Sequence, residues 1–198
     1  RSYSVTGVQT CALPICLKTL RIKAEVRSDL PQNFGLIPNL KKLILWVEQL
    51  HQVPEELFQL QSLEQIELIG GTYPSLPDFW DRLSRLRSFY LSKNAAIQTL
   101  PSTFVALYLL EHLEINNCAA FTRLPNDLGN LTSLRVLKIS DTPVAALPSS
   151  LGGCAAMEEI EITTGLTAPD AIPASIGRLK RLQQLRLSGC DLEALPEE

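Results

Sequence analysis

Few residues of this chain have side chains suited to acid–base or nucleophilic chemistry. Only two histidines occur, His51 and His112. His112 lies two residues before Glu114 and follows Ser88 at the spacing of the repeat described below, so a Ser-His-acid arrangement can be drawn. Nucleophilic catalysis also requires oriented oxyanion donors and a pocket that excludes water. An open sheet face supplies neither, and we therefore predict that the chain holds no catalytic site.

The residues that could bind a metal are equally sparse. His112, Glu114 and Cys118 are close in sequence, but a zinc site needs three or four converging ligands. Cys118 falls beyond the strand that carries His112, in a turn, and no further Cys or His is near it in the sequence. We expect no metal and no cofactor. The five cysteines occur at no bridge spacing, which predicts small buried thiols and a reducing compartment.

The elements that must position these side chains are repeats. An L-x-x-L-x-L pattern, followed about ten residues later by an apolar residue and Pro, recurs eight times. Self-similarity at a fixed period in this range indicates a solenoid of stacked units. The first apolar residues of the eight copies are Leu17, Leu40, Leu63, Leu86, Leu110, Leu134, Met157 and Leu182.

The second copy shows how one unit folds. Leu43 and Leu45 alternate with Lys42, Ile44 and Trp46, and a period of two predicts a strand with the leucines inward. The Pro that follows begins a stretch with apolar residues three or four apart, which predicts a short helix or 3₁₀ segment. Stacked units give an α/β solenoid, a curved horseshoe with a parallel sheet on its concave face and the helical segments on its convex face.

The copies LPNDLGNLTSLRVLKIS and IPASIGRLKRLQQLRLSGCDLEALP resemble the leucine-rich repeat family, in its intracellular Leu-Pro-rich class. That class occurs in plant disease-resistance proteins, in Ras-pathway scaffold proteins and in bacterial effectors that carry a ubiquitin-ligase domain. The resemblance implies a protein-binding domain of eight repeats over residues 17–198, truncated within the last. Residues 5–15 resemble a translated sequencing adapter, so residues 1–16 are expected to be a non-native leader.

The residues between the leucines would carry any binding specificity. A solvated sheet face should be polar, yet repeats two to four place large apolar side chains there, and such clusters favour a contact site. They could instead shield one another on a twisted sheet. The predicted partner-binding residues are Arg21, Lys23, Lys42, Ile44, Trp46, Gln65, Glu67, Ile69, Tyr90, His112 and Glu114.

The charged residues of the sheet face indicate what kind of partner to expect. Arg21, Lys23 and Lys42 make the first repeats basic, whereas Glu159 and Glu161 make the seventh acidic, and this asymmetry could orient a partner. We expect a protein partner with an apolar anchor and an acidic flank, seated over repeats one to four. An alternative is that the array is the substrate-recognition arm of a larger enzyme, either a ubiquitin-ligase effector or a repeat-bearing GTPase.

Composition excludes other classes of partner. The net charge is −3, and the Lys and Arg residues are scattered, which argues against nucleic acid. No apolar run approaches the roughly 20 residues of a membrane-spanning helix. We therefore expect a monomeric protein without nucleic-acid or membrane partners. The expected location is the cytoplasm, or a host cytoplasm if the protein is a delivered effector.

Overall fold

The structure, a computed structural model, describes residues 2–5, 16–26 and 34–190. Each repeat contributes one strand, and all the strands join one parallel sheet in which sequence order and spatial order coincide. The strands are β1 (Ser2–Val5), β2 (Thr19–Val26), β3 (Lys42–Gln49), β4 (Gln65–Ile69), β5 (Ser88–Ser92), β6 (His112–Asn116), β7 (Val136–Ser140), β8 (Glu159–Gly165) and β9 (Gln184–Cys190). The predicted leucine-rich-repeat solenoid is confirmed.

The sheet has one strand more than the eight repeats predict. β1 lies in the segment expected to be a leader, and it pairs in parallel with β2, with Ser2 opposite Thr19 and Val5 opposite Ile22. Residues 6–15, most of the adapter-like stretch, lie outside the described residues, as does the predicted truncation within residues 191–198. The boundary at residue 17 stays a prediction.

The core consists of the inward rows of the sheet. Leu43 and Leu45 on β3 are almost completely buried, and the parallel register aligns Leu43 with Ile66 on β4 and Ile66 with Phe89 on β5. Because side chains alternate along a strand, every second residue of these strands joins the same apolar row. The rows continue from repeat to repeat, so the stacked units share one core.

The return segments are short 3₁₀ helices, one of the two alternatives that the sequence predicts. In the second repeat Pro54 is extended, with φ −63° and ψ 133°, and its carbonyl accepts a hydrogen bond from the Leu57 amide at 3.2 Å. Bonds of this three-residue type form tight turns that rarely extend far. The described segments are Phe34–Leu36, Glu55–Gln59, Trp80–Arg82, Ser102–Ala106, Leu128–Asn130, Ser149–Gly153 and Ala174–Arg178.

An aromatic cluster backs the middle repeats. Trp80 is fully buried, and its ring lies 5.2 Å from that of Phe58 and 5.0 Å from that of Phe89, both edge to face. Phe104 contacts Phe89 at 5.0 Å. Aromatic pairs in such geometry add stabilisation beyond their buried area. Since Phe89 lies on β5, this cluster holds the strand that presents Tyr90 on the opposite face.

Left-handed backbone recurs where the strands end. The residue at this position has a positive φ in six successive repeats, and in the first four its amide donates to a carbonyl on the next strand. Glycine adopts this conformation without strain, whereas other residues incur a steric cost. The six residues are Gly70, Lys93, Asn117, Asp141, Thr164 and Gly189.

The residue after this turn supports the bend from inside. Asn94 is fully buried, and its Oδ1 accepts hydrogen bonds from the amides of Ala96 at 2.9 Å and Ile97 at 2.8 Å. An amide side chain thereby satisfies turn N–H groups that would otherwise be unpaired. Thr142 takes a related role two repeats later, because its hydroxyl oxygen accepts from the Cys118 amide at 3.2 Å.

Candidate functional site

The concave face consists of the outward residues of the sheet. Its register places Lys23 beside Trp46, and Trp46 beside Ile69. The adjacency of Trp46 and Ile69, expected from the repeat alone, is therefore confirmed. Arg21 and Lys23 are exposed, and the remaining predicted binding residues are half-buried except for Ile44.

The prediction that the Ile44 side chain is exposed on the concave face is wrong, whereas its place among the partner-binding residues stays a prediction. Its side chain is only 4% exposed, although it lies on the outward face of β3. Arg21 and Glu67 flank it on the neighbouring strands, and Trp46 follows two positions along the same strand. Long and bulky neighbours cover the shorter isoleucine, so Ile44 supports the surface from below. The alternative interpretation, in which the apolar side chains of this face shield one another from solvent, therefore holds for Ile44.

Trp46 is the centre of the apolar surface, and two ammonium groups lie over its ring. The Nζ of Lys23, from the preceding strand, is 4.4 Å from the ring centroid. The Nζ of Lys93 is 5.8 Å from the same centroid, although Lys93 follows β5, two strands away. Each cation–π contact of this kind contributes roughly 0.5–1 kcal/mol at an exposed site.

Lys93 is a member of this site that sequence reasoning missed. It is an exposed residue with φ 57°, directly after the last residue of β5. The alternation of side chains along a strand does not assign turn residues to either face of the sheet. The L-x-x-L-x-L pattern therefore did not indicate that Lys93 lies at this site. One feature of the sequence could have drawn attention to Lys93: it is a lysine at a repeat position where two other repeats have Gly70 and Gly189.

Most other charges on the concave face are paired. The Nζ of Lys42 lies 2.6 Å from Oε1 of Glu67, and the same oxygen accepts a hydrogen bond from Gln65 at 2.9 Å. Lys42 therefore adds little net positive charge to the first repeats. Among the residues that the structure describes, Arg21, Lys23 and Lys93 have no carboxylate within 4.0 Å.

The acidic character expected for the seventh repeat is also neutralised. Lys138 contacts Glu159 at 3.0 Å and Glu161 at 3.2 Å, and Arg186 approaches both carboxylates at 3.7 and 3.8 Å. The hydrogen bond to Glu159 is the main cause that raises the pKa of Lys138. Two acids thus face two bases, and this half of the sheet presents a balanced network instead of an acidic surface.

Tyr90 and His112 extend the aromatic surface towards the sixth strand. Their rings lie 4.9 Å apart with an angle of 31°, and His112 Nε2 is 3.5 Å from an oxygen of Glu114. Within the described chain His112 makes no hydrogen bond with Ser88, its neighbour in register. The Ser-His-acid arrangement drawn from the sequence is therefore not assembled in this structure.

Metal ligands do not converge either. Over residues 2–5, 16–26 and 34–190, no group of three His, Cys, Asp or Glu side chains could hold an ion. Cys118 and Cys154 are buried, as predicted, and both are free thiols. Burial raises the pKa of the Cys154 thiol to about 12. No helix in the described ranges is long and apolar enough to cross a membrane.

Six residues gather on the concave side of the first five strands, and we call them the aromatic–basic patch. It combines an exposed cationic part with half-buried apolar and aromatic side chains, and three of its members, Arg21, Trp46 and Tyr90, are of the residue types enriched in binding hot spots. The patch consists of Arg21, Lys23, Trp46, Ile69, Tyr90 and Lys93.

A parallel sheet that from β2 onward gains one strand per 23 to 25 residues, with 3₁₀ returns behind it, defines the class of repeat solenoids. The chain belongs to the leucine-rich repeat family within that class. Its fold is similar to that of the leucine-rich repeat domain of the type III effector XopL, with a TM-score of 0.70 and 26% sequence identity. That likeness covers 79% of this chain and 54% of the other.

The sequence relatives are plant proteins and include disease-resistance proteins. The chain is 30% identical over 191 residues to the Arabidopsis thaliana protein SUPPRESSOR OF npr1-1, CONSTITUTIVE 1, covering 86% of this chain. It is 26% identical over 174 residues to TMV resistance protein N of Nicotiana glutinosa, covering 82% of this chain. The chain spans only 13% and 14% of the lengths of these two proteins. No family model matches it.

The predicted resemblance to plant disease-resistance and bacterial effector repeats is confirmed by these relatives. The resemblance to Ras-pathway scaffold proteins and the adapter-like origin of residues 5–15 stay predictions.

Proposed function

We propose that this domain binds a protein partner through the aromatic–basic patch on its concave face. The observation that carries the proposal is the environment of Trp46, a half-buried indole beside Ile69 with two ammonium groups over its ring. Large aromatic side chains in a partly desolvated setting are the usual anchors of protein interfaces. The unpaired cations beside Trp46 favour a partner whose flanking residues are acidic.

The contrast between the two halves of the sheet supports this assignment. In the half around Lys138, carboxylates and cations satisfy one another, so an approaching partner would have to break existing ion pairs. Around Trp46 the cations have no such partners in the described chain. The patch therefore offers electrostatic attraction without that competing cost.

Replacement of Trp46 and Tyr90 by Ala tests the proposal. Immobilised wild-type domain, the W46A/Y90A double variant and a Y108A/L109A control are compared for the proteins that each retains. Tyr108 and Leu109 lie outside the sheet and are 63% and 42% exposed, so the control removes similar apolar surface elsewhere. Proteins retained by wild type and control but lost from the double variant are the candidate partners.

Direct titration of such a partner then gives the magnitude. A hot-spot truncation weakens binding by about 2 kcal/mol or more, which is about thirtyfold in affinity. The double variant should therefore lose between about thirtyfold, if only one of the two residues is a hot spot, and about a thousandfold, if both are and their effects add. Thermal unfolding should shift only modestly, by about 2–8 °C, because the double variant removes two cation–π contacts of about 0.5–1 kcal/mol each but no side chain of the core. Unchanged affinity in W46A/Y90A would refute the proposed site.

A second candidate function is the recognition arm of a larger enzyme. It is favoured by the small fraction of each relative that the chain spans and by the similarity to a repeat domain of a type III effector. The sequence of the flanking gene discriminates the two. An adjoining catalytic domain that acts on the captured partner would support the recognition arm, whereas flanks without one would favour a binding module alone.

We further propose that the domain works as a monomer in a reducing cytoplasm, without nucleic acid or a cofactor. The buried free thiols Cys118 and Cys154 support the compartment. Light scattering after gel filtration should give a mass near 21.9 kDa. A dimeric mass, or binding to a non-specific DNA duplex at physiological salt, would overturn the corresponding part.

A further inference from the structure

We infer that Lys23, Trp46 and Lys93 form a recognition site for a phosphorylated side chain of the partner, a phosphate monoester. This inference rests on the proposed function and specifies the acidic group that would occupy the aromatic–basic patch. It follows from three features of the same place, namely the convergence of two cations, their lack of counter-charges and the backbone of Lys93.

The first feature is the convergence of like charges. Two lysines from strands that are not neighbours bring their ammonium groups to one indole, at 4.4 and 5.8 Å from its centroid. The ring attracts both cations, but the cations repel each other. An anion that contacts both ammonium groups would attract each of them and outweigh that repulsion. Arg21, two residues before Lys23 on the same face of β2, adds a third positive side chain to this face.

The second feature is the difference from the other cations on this face. Lys42, Lys138 and Arg186 each have a carboxylate within 4.0 Å. Glu25 and Glu48 lie two residues beyond Lys23 and Trp46 and are exposed, yet neither forms an ion pair with the two lysines. Within the described ranges, the cations at Trp46 thus remain available to an external anion.

The third feature is the conformation of Lys93. Its φ of 57° is in the left-handed region, which glycine adopts freely and which is sterically unfavourable for a lysine. The same turn conformation recurs at Gly70, Asn117, Asp141, Thr164 and Gly189 in the other repeats, so it belongs to the repeat and not to this site alone. What distinguishes Lys93 among these six residues is its cationic side chain, whose ammonium group reaches across two strands to Trp46.

Charge decides in favour of phosphate over carboxylate. A phosphate monoester carries about −1.5 to −2 charges near neutral pH and three acceptor oxygens. It can therefore neutralise both ammonium groups at once, whereas one carboxylate leaves a cation unpaired. Lysine binds phosphate as a point charge, which tolerates the variable geometry of two long side chains.

Nuclear magnetic resonance of the indole N–H groups provides the test. The chain has two tryptophans, so two indole N–H signals arise, and Trp46→Phe identifies the one that belongs to Trp46. Three nine-residue Ala/Gly peptides are titrated that differ only in a central phosphoserine, Asp or Ser. We expect the phosphoserine peptide to shift the Trp46 signal and to bind about tenfold or more tightly than the Asp peptide.

Two variants make the assignment specific. Lys93→Gly removes the ammonium group at a position where glycine is unstrained, and it should weaken phosphopeptide binding at least about fivefold. Lys180→Gln is the control, since it removes the same single positive charge at a place remote from the concave face. The Nζ of Lys180 donates a hydrogen bond to the Gly177 carbonyl behind the sheet. Equal binding of the Asp and phosphoserine peptides, or unchanged binding to Lys93→Gly, would overturn the inference.

Failure here is distinguishable from failure of the proposed function. A partner that loses affinity for W46A/Y90A but binds Lys93→Gly normally supports the concave site and overturns the phosphate inference. A phosphopeptide that shifts Trp46, combined with a partner insensitive to W46A/Y90A, supports the phosphate site and overturns the proposed partner site.

Discussion

Gly129 lies where two consecutive 3₁₀ segments are in contact, and its replacement by Ala tests the packing behind the sheet. The residue is buried, and its amide donates to the Ser150 hydroxyl at 3.1 Å. A Cβ placed on Gly129 would lie 2.0 Å from the Ser150 carbonyl oxygen. Because the obstacle is backbone, a rotamer change cannot relieve it, and the segments must move apart.

Gly177 provides a matched control at the corresponding position two repeats later. Among the residues that the structure describes, a Cβ on Gly177 meets no atom within 4 Å. Overpacking in Gly129→Ala should destabilise the protein by about 1–3 kcal/mol. Gly177→Ala should instead stabilise it by about 0.4–1 kcal/mol, since alanine reduces the entropy of the unfolded chain and clashes with none of the described residues.

Thermal and urea unfolding followed by circular dichroism measure both variants. For a chain of this size, 1 kcal/mol corresponds to roughly 2–4 °C in Tm, so the two variants should shift Tm in opposite directions by resolvable amounts. If Gly129→Ala is as stable as wild type, or if Gly177→Ala is equally damaging, the close approach of the 3₁₀ segments is not what holds the repeats at this spacing.

Other variants probe the turns and the buried thiols. Thr164 has φ 75° although it is β-branched, so Thr164→Asn should stabilise the fold by up to about 1 kcal/mol in urea unfolding, and Thr163→Asn should not. The raised pKa of the Cys154 thiol means that the folded state retains a proton that the unfolded state loses above about pH 9. Stability should therefore fall between about pH 9 and 12, by at most about 1.4 kcal/mol per pH unit for this group, and Cys154→Ala should lessen the fall measured by urea unfolding. At pH 8, iodoacetamide should modify exposed Cys16 in native protein but modify Cys118 and Cys154 only after denaturation; labelling of Cys154 in folded protein would contradict its burial.

The fold could be predicted from sequence because the repeat imposes it. Once the period is known, a leucine of the L-x-x-L-x-L pattern such as Leu43 can be assigned to a strand. Its burial then follows from the alternation of side chains along that strand. The additional strand β1 could not be predicted, since Ser2–Val5 carries no copy of the L-x-x-L-x-L pattern. It pairs through backbone groups, which the side-chain pattern does not encode.

The site was less predictable because it depends on side chains from several strands at once. Ile44 has the same outward register as Trp46, and only the bulk of its neighbours buries it. Lys93 escaped the pattern because it belongs to a turn. The pairing of Lys138 with Glu161 does follow from their adjacency in register, so the balanced charge of the later repeats was accessible in principle.

Hydroxyl-radical footprinting of the complex tests the central claim most directly. Oxidation of aromatic side chains, read by mass spectrometry, reports which surface the captured partner covers. Binding on the concave face predicts protection of Trp46 and Tyr90, with Tyr108 oxidised as fast in the complex as in the free domain. Protection of Tyr108 with Trp46 and Tyr90 still reactive would contradict the account.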